Sequence, residues 1–162
     1  MGKNMSTATI DYRDCDREIW EEELEAFVPD RILDAHIHLF NRADFSKLPP
    51  RLSDREDDRL ADLNAWAQVL YPGRRMNYLI LGYPLPGIDV AHHIRFVNSE
   101  MEQMPEVRCN RLVTPSCKIE DIARDVDHPQ IIGLKPYRTY SVTGDIAQCR
   151  IHEFLPHEQM EF

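Results

Sequence analysis

Apolar positions recur along this chain with two alternating periods. Between Asp16 and Phe27, Ile19, Trp20, Leu24 and Phe27 lie mostly three or four apart among glutamates, which predicts an amphipathic helix. Pro29-Asp30 interrupts it, and Arg31 to Leu39 alternates with period two. Leu33, Ala35, Ile37 and Leu39 fall on one parity; Ile32, Asp34, His36 and His38 fall on the other. After a Pro-containing loop, Ser53 and Glu56 have capping-box spacing, predicting a helix from there to about Tyr71 that ends at Pro72-Gly73. Met76 to Leu81 reads as a strand, Asp89 as an N-cap, and Val90 to Gln103 as a helix with Ile94, Val97 and Met101 on one face. A third strand is predicted over Val107 to Val113, a helix from Ser116 to about Val126, a fourth strand over Gln130 to Tyr137, and the start of another helix near Pro156.

Strand and helix alternate through four strands after an N-terminal helix, the order of parallel βαβ units. The predicted class is therefore α/β, and the predicted architecture is a partial TIM-type (β/α)8 barrel. About its first four βα units span residues 31–162, and residues 1–30 form an N-terminal extension with the amphipathic helix. A closed barrel needs eight strands and typically about 250 residues. The chain has 162 and stops inside a predicted helix, so it is expected to be part of a longer protein. The competing reading is an open four-stranded α/β sheet complete in itself.

Charge and composition then narrow the partners. The 28 acidic residues outnumber the 19 Lys and Arg, a formal charge of −9, and no basic cluster interleaved with aromatics stands out, so nucleic acid is not an expected partner. No apolar run is long enough to span a bilayer, so no membrane span is expected in these residues. Met1 to Thr9 is polar without an apolar h-region, so a cytoplasmic location is expected. Cys15, Cys109, Cys117 and Cys149 have no CxxC spacing and read as reduced structural thiols, with Cys109 inside a strand. Self-association into a homo-oligomer is left open.

The chemistry concentrates on the first strand. Residues i and i+2 of a strand project to one face, so His36 and His38 point together, one step beyond Asp34. Two imidazoles at the C-terminal end of a first barrel strand are placed to hold one divalent ion, and Asp34 is placed to orient a ligand from behind. Lys135 shares the parity of Gly133 and Tyr137 and is predicted to point inward with the histidines. His92, His93, His128, His152 and His157 lie in helices or loops, where surface or packing roles are expected.

The stretch Ile32-Leu33-Asp34-Ala35-His36-Ile37-His38-Leu39 resembles the opening strand of the amidohydrolase superfamily, most closely its amidohydrolase-related branch, and Gly133-Leu134-Lys135 resembles that branch too. The resemblance implies a barrel holding one or two divalent metals, commonly zinc or manganese, with metal-activated water attacking a carbonyl of a small-molecule amide, ester or lactone. Some members of the branch instead remove carboxyl groups without oxidation. It implies His36 and His38 as strand-one ligands. Lys135 becomes either a carbamylated bridge between two metals or a bare charge facing a substrate carboxylate, a role Arg138 could share. The family's further histidines and its catalytic aspartate would fall beyond Phe162, so the 162-residue chain alone is expected to be inert. Phosphoesterases and TatD-like nucleases also open with HxH strands, but Leu39-Phe40, Gly133-Leu134-Lys135 and the acidic charge suit them less well.

Overall fold

The computed structural model describes residues 11–162; Met1 to Thr9, whose polar composition suggests a cytoplasmic location, lie outside the described residues. Four strands, β1 (Arg31–Ile37), β2 (Arg75–Leu81), β3 (Arg108–Val113) and β4 (Ile131–Pro136), form one parallel sheet in the order β1-β2-β3-β4. Helices α2 (Leu60–Leu70), α3 (Val90–Met101) and α4 (Ile119–Val126) occupy the successive crossovers. α5 (Ile151–Phe154) and α6 (His157–Glu161) follow β4. The protein is thus α/β, with a four-stranded parallel sheet and flanking helices.

The three crossover helices cover one face of the sheet. Met76, Tyr78 and Ile80 of β2, Cys109 of β3 and Ile131 of β4 share a buried cluster with Leu60 and Ala67 of α2 and Phe96, Val97 and Met101 of α3. α4 joins it through Val126, and its Asp125 pairs with Arg111 of β3 at 2.7 Å. Each large apolar side chain removed from water there contributes roughly 1.5–3 kcal/mol before entropy is subtracted. Among the described residues no helix is long and apolar enough to cross a membrane.

The N-terminal helix is shorter than its periodicity predicts. α1 spans Asp14–Ile19 and widens into a π-helical turn over Trp20–Leu24. Trp20 is buried edge-on against Tyr71, with the Arg74 guanidinium over its ring at 5.1 Å. Phe27, expected on the packing face, is 83% exposed because the helix has already ended.

The predicted start of α2 at Ser53 is wrong. Residues Pro50–Leu52 form a 3₁₀ turn, and α2 begins only at Leu60. Its first amide is capped from another element: the buried Glu100 of α3 accepts from Leu60 N at 3.1 Å and from Arg59 Nη1 at 2.8 Å. The intervening segment instead wraps over the C-terminal ends of the strands. Phe40 pairs with Asp58 in an antiparallel bridge, and Phe40, Phe45 and Leu85 form a second buried cluster. The predicted cap of α3 does form, with Asp89 Oδ1 accepting from His92 N at 2.9 Å.

Candidate metal centre

Strand β1 does not keep the single parity its sequence suggests. Asp34 pairs with Tyr78 but Ile37 pairs with Ile80, so Ala35 and His36 together stand opposite Leu79. This bulge moves the chain by one residue. Before it, Ile32 lies on the helix-covered side; after it, Ile37 and Leu39 do. His36 and His38 are thereby turned to the face without helices. Without the extra residue, His36 would align with buried Ile80. Leu33, predicted on the covered parity, is instead on the histidine side and 63% exposed.

The two rings meet. Their Nε2 atoms stand 3.2 Å apart, with the ring planes at 82°. His38 Nδ1 lies 2.8 Å from the Leu81 carbonyl oxygen, an acceptor only, so Nδ1 carries the proton and Nε2 presents a lone pair. Without an ion, His36 Nε2 must then be the donor between the rings. Burial is the main cause lowering the His38 pKa below the ordinary imidazole value, the Leu81 carbonyl opposes it, and the nearby His36 and Lys135 charges lower it further. A neutral imidazole with its second nitrogen bonded to a carbonyl is the form in which histidine binds metal.

Lys135 reaches the same neighbourhood. Its partner in register is Leu112, two residues on from the Asn110 that pairs with Leu81, and its Nζ lies 4.9 Å from the Tyr137 ring centroid. Tyr137 also neighbours His38, the rings of Tyr137 and His38 being 6.3 Å apart. Tyr137 was singled out in the sequence only for its parity. Its buried hydroxyl has no hydrogen-bond partner, and burial pushes its pKa up to about 12, so it remains a proton donor at neutral pH. Tyr83 packs edge-on against His38 at 5.9 Å.

Asp34 does not orient either ring. Its Oδ1 accepts from the His36 backbone N–H at 3.1 Å, stabilising the bulge, and the ring-orienting acceptor is the Leu81 carbonyl. Arg138 is engaged by the following loop, donating to the Ala147 carbonyl at 2.7 Å and approaching Cys149 Sγ at 3.5 Å. Among the remaining histidines, His93 and His92 have a larger part than packing. Both Nδ1 atoms donate to the buried Asp44, at 2.7 and 2.6 Å, and His93 Nε2 accepts from Tyr83 N at 3.1 Å. The loop after β1, the start of α3 and the loop after β2 are thus tied together behind the His38 site. Nothing in the Asn41-Arg42-Ala43-Asp44 stretch signals this; only the tertiary contact reveals it.

The donors suit a divalent metal. At a zinc–nitrogen bond length of about 2.0–2.1 Å, two ligands of a tetrahedral ion stand roughly 3.3–3.4 Å apart. The observed 3.2 Å matches two imidazoles sharing one ion. Among the described residues no group of three or more His, Cys, Asp or Glu side chains is arranged to hold a metal ion. No family model, curated protein or solved structure matches the chain.

Proposed function

We propose that this chain carries the first metal-ligand pair of an amidohydrolase-type, metal-dependent hydrolase acting on the carbonyl of a small-molecule amide, ester or lactone. The observation that carries the reading is the His36–His38 pair, with nitrogens 3.2 Å apart on the helix-free face. The sheet supports a (β/α)8 setting for it. A doubly wound sheet reverses its strand order and carries helices on both faces, whereas this one runs β1-β2-β3-β4 with its crossover helices on one face, as a barrel segment does. Active sites of such barrels lie at the C-terminal ends of the strands, where both histidines sit.

A divalent ion held by His36 and His38 would polarise a carbonyl and acidify a water. The chain's own groups do the rest. The Leu81 carbonyl fixes the His38 tautomer, Lys135 offers a positive charge to a substrate oxygen, and the unpaired Tyr137 hydroxyl offers a proton donor beside it. With only two ligands, and no third His, Cys, Asp or Glu arranged with them to hold a metal among the described residues, the chain is expected to bind the ion without turnover on its own.

Lys135 also supports a second reading. A bare ammonium near the histidines suits a substrate carboxylate, which favours a non-oxidative decarboxylase of the same branch. Titration with zinc or cobalt, comparing the native chain with His36→Ala and His38→Ala, tests the common site; unchanged stoichiometry in both variants would refute it. In a catalytically complete protein that contains this segment, turnover of lactones or amides against aromatic carboxylates separates hydrolase from decarboxylase.

A further inference from the structure

The orientation of the His38 ring depends on one backbone carbonyl, that of Leu81 at the end of β2, which accepts from His38 Nδ1 at 2.8 Å. What holds that carbonyl lies just beyond it. Peptide groups are planar, so only the φ and ψ of Gly82 stand between the Leu81 carbonyl and the Tyr83 amide. No larger residue fits at that joint: a Cβ on Gly82 would run into the Leu112 side chain and lie 2.8 Å from its Cα. The close approach to β3 therefore demands glycine, the residue that leaves those two angles least restricted.

The sheet supplies little of the missing restraint. Register between β2 and β3 ends at Leu81, and the next contact, from Gly82 N to the Asn110 carbonyl, is stretched to 3.4 Å. The Tyr83 N–H donates instead to His93 Nε2 at 3.1 Å. An amide N–H can only donate, so His93 Nε2 keeps its lone pair and the ring proton sits on Nδ1, where Asp44 Oδ2 accepts it at 2.7 Å. His93 and Asp44 are each 1% exposed, so water does not compete for that bond. Tyr140 Oη donates to the Tyr83 carbonyl at 3.0 Å, one peptide plane further on, which leaves the imidazole as the anchor nearer to Leu81.

We propose that Asp44 is a positioning residue for the His38 site: through His93 and the Tyr83 amide it fixes the Leu81 carbonyl, and with it the Nδ1–H tautomer that turns the His38 Nε2 lone pair toward His36. Asp44 sets the His93 tautomer, His93 sets the Tyr83 peptide plane, and that plane limits the one flexible joint before Leu81. The consequence for metal affinity rests on the metal reading above; the consequence for the His38 tautomer does not.

Long-range proton–nitrogen correlation on the metal-free chain with isotope-labelled imidazoles reports the His38 tautomer directly. The native chain is expected to show His38 protonated at Nδ1 alone, and a coupling across the hydrogen bond from the Tyr83 amide to His93 Nε2. His93→Phe keeps a ring in the pocket but removes the acceptor, and Asp44→Ala removes the carboxylate; in both, the Nε2–H form of His38 should appear. Asp44→Asn should restore the native pattern. Its amide oxygen can serve the buried His93 while its NH2 turns to His92, which is partly exposed and free to switch tautomer. Zinc affinity by chelator competition should fall about tenfold or more in His93→Phe and Asp44→Ala, the usual effect of losing a group behind a metal-bound histidine, and stay near native in Asp44→Asn. Glu100→Gln, a change at a buried carboxylate elsewhere, controls for lost stability and should leave the His38 tautomer unchanged. Circular dichroism checks that the variants fold, and the coupling in the native chain decides the matter even if they do not. Absence of that coupling, an unaltered His38 tautomer in both folded variants, or the same change in Glu100→Gln would overturn the proposal. A shifted tautomer in a chain that binds no zinc would uphold the positioning role and refute the metal reading instead.

Discussion

His93 donates its Nδ1 proton to Asp44 at 2.7 Å while its Nε2 accepts from the Tyr83 amide, so one buried ring joins the loop after β1 to the loop after β2. Both polar ends are satisfied, and Asp44 is itself 1% exposed. Asp44→Ala would strip two imidazoles of their acceptor at once. The expected loss is about 1–3 kcal/mol, the cost of leaving the buried His93 N–H without an acceptor. Urea denaturation measures it, and a loss under about 1 kcal/mol would show that water replaces the carboxylate freely.

Glu100 is the second buried carboxylate with a positional task. It accepts from the first amide of α2 and from Arg59, a residue half exposed to water. Glu100→Gln keeps an acceptor for Leu60 N but loses the charge, so it should cost about 1–2 kcal/mol. Glu100→Ala should cost about 3 kcal/mol by removing both. Hydrogen exchange should localise the effect to the first turn of α2, residues 60–63; uniform loosening of the molecule would contradict the capping role.

These two carboxylates also mark where the sequence was readable and where it was not. Alternating apolar periods located all four strands and the helices between them, because those faces are buried and must be apolar. Asp89 was readable because an N-cap is local. The start of α2 was not, because its cap comes from Glu100, 40 residues away, while Ser53 and Glu56 held a capping pattern that the bridge between Phe40 and Asp58 overrides. The His36–His38 pair was readable from spacing alone, but its orientation depends on the bulge at Ala35–His36. No glycine or proline marks that bulge, and strict alternation would have placed Leu33 under the helices. Asp44 could not be found at all without the tertiary structure.

The cysteines should divide by burial. Cys15 is exposed, whereas burial raises the Cys109 thiol to about 12, with Arg111 opposing. Since the thiolate is the reactive form, Cys109 should resist iodoacetamide at pH 8 in the folded protein and react once urea unfolds it. Mass spectrometry of the peptides reads this directly. Cys109 modification as fast as that of Cys15 would mean that β3 opens locally.

Lys135 is the residue on which the one-metal and two-metal forms of the proposed site differ. Its amine lies over the Tyr137 ring at 4.9 Å from the centroid, the geometry of a cation–π contact. A carbamate would turn the same atom into an anion. The intact mass of the zinc-loaded chain, measured gently in bicarbonate, is therefore expected to show no added CO2. An adduct lost in Lys135→Met would favour the two-metal form.

The outer strands lead to the last prediction. β1 and β4 each pair on one side only among the described residues, and each carries a large apolar side chain in water: Leu33 at 63% and Ile132 at 60% exposed. Unpaired strand edges of this kind template association with other chains, and charge on the edge is the usual guard against it. The only charged side chains on these strands are Arg31 and Asp34 on β1 and Lys135 on β4, so neither edge is well protected. The chain is expected to self-associate at micromolar concentration despite its net charge of −9. The double variant Leu33→Lys with Ile132→Lys should shift it toward monomer in sedimentation velocity, with little loss of stability because both side chains are already exposed. Equal association of the variant and the native chain would place the contact elsewhere. A native chain that stays monomeric throughout would show that these two edges are protected by something other than charge.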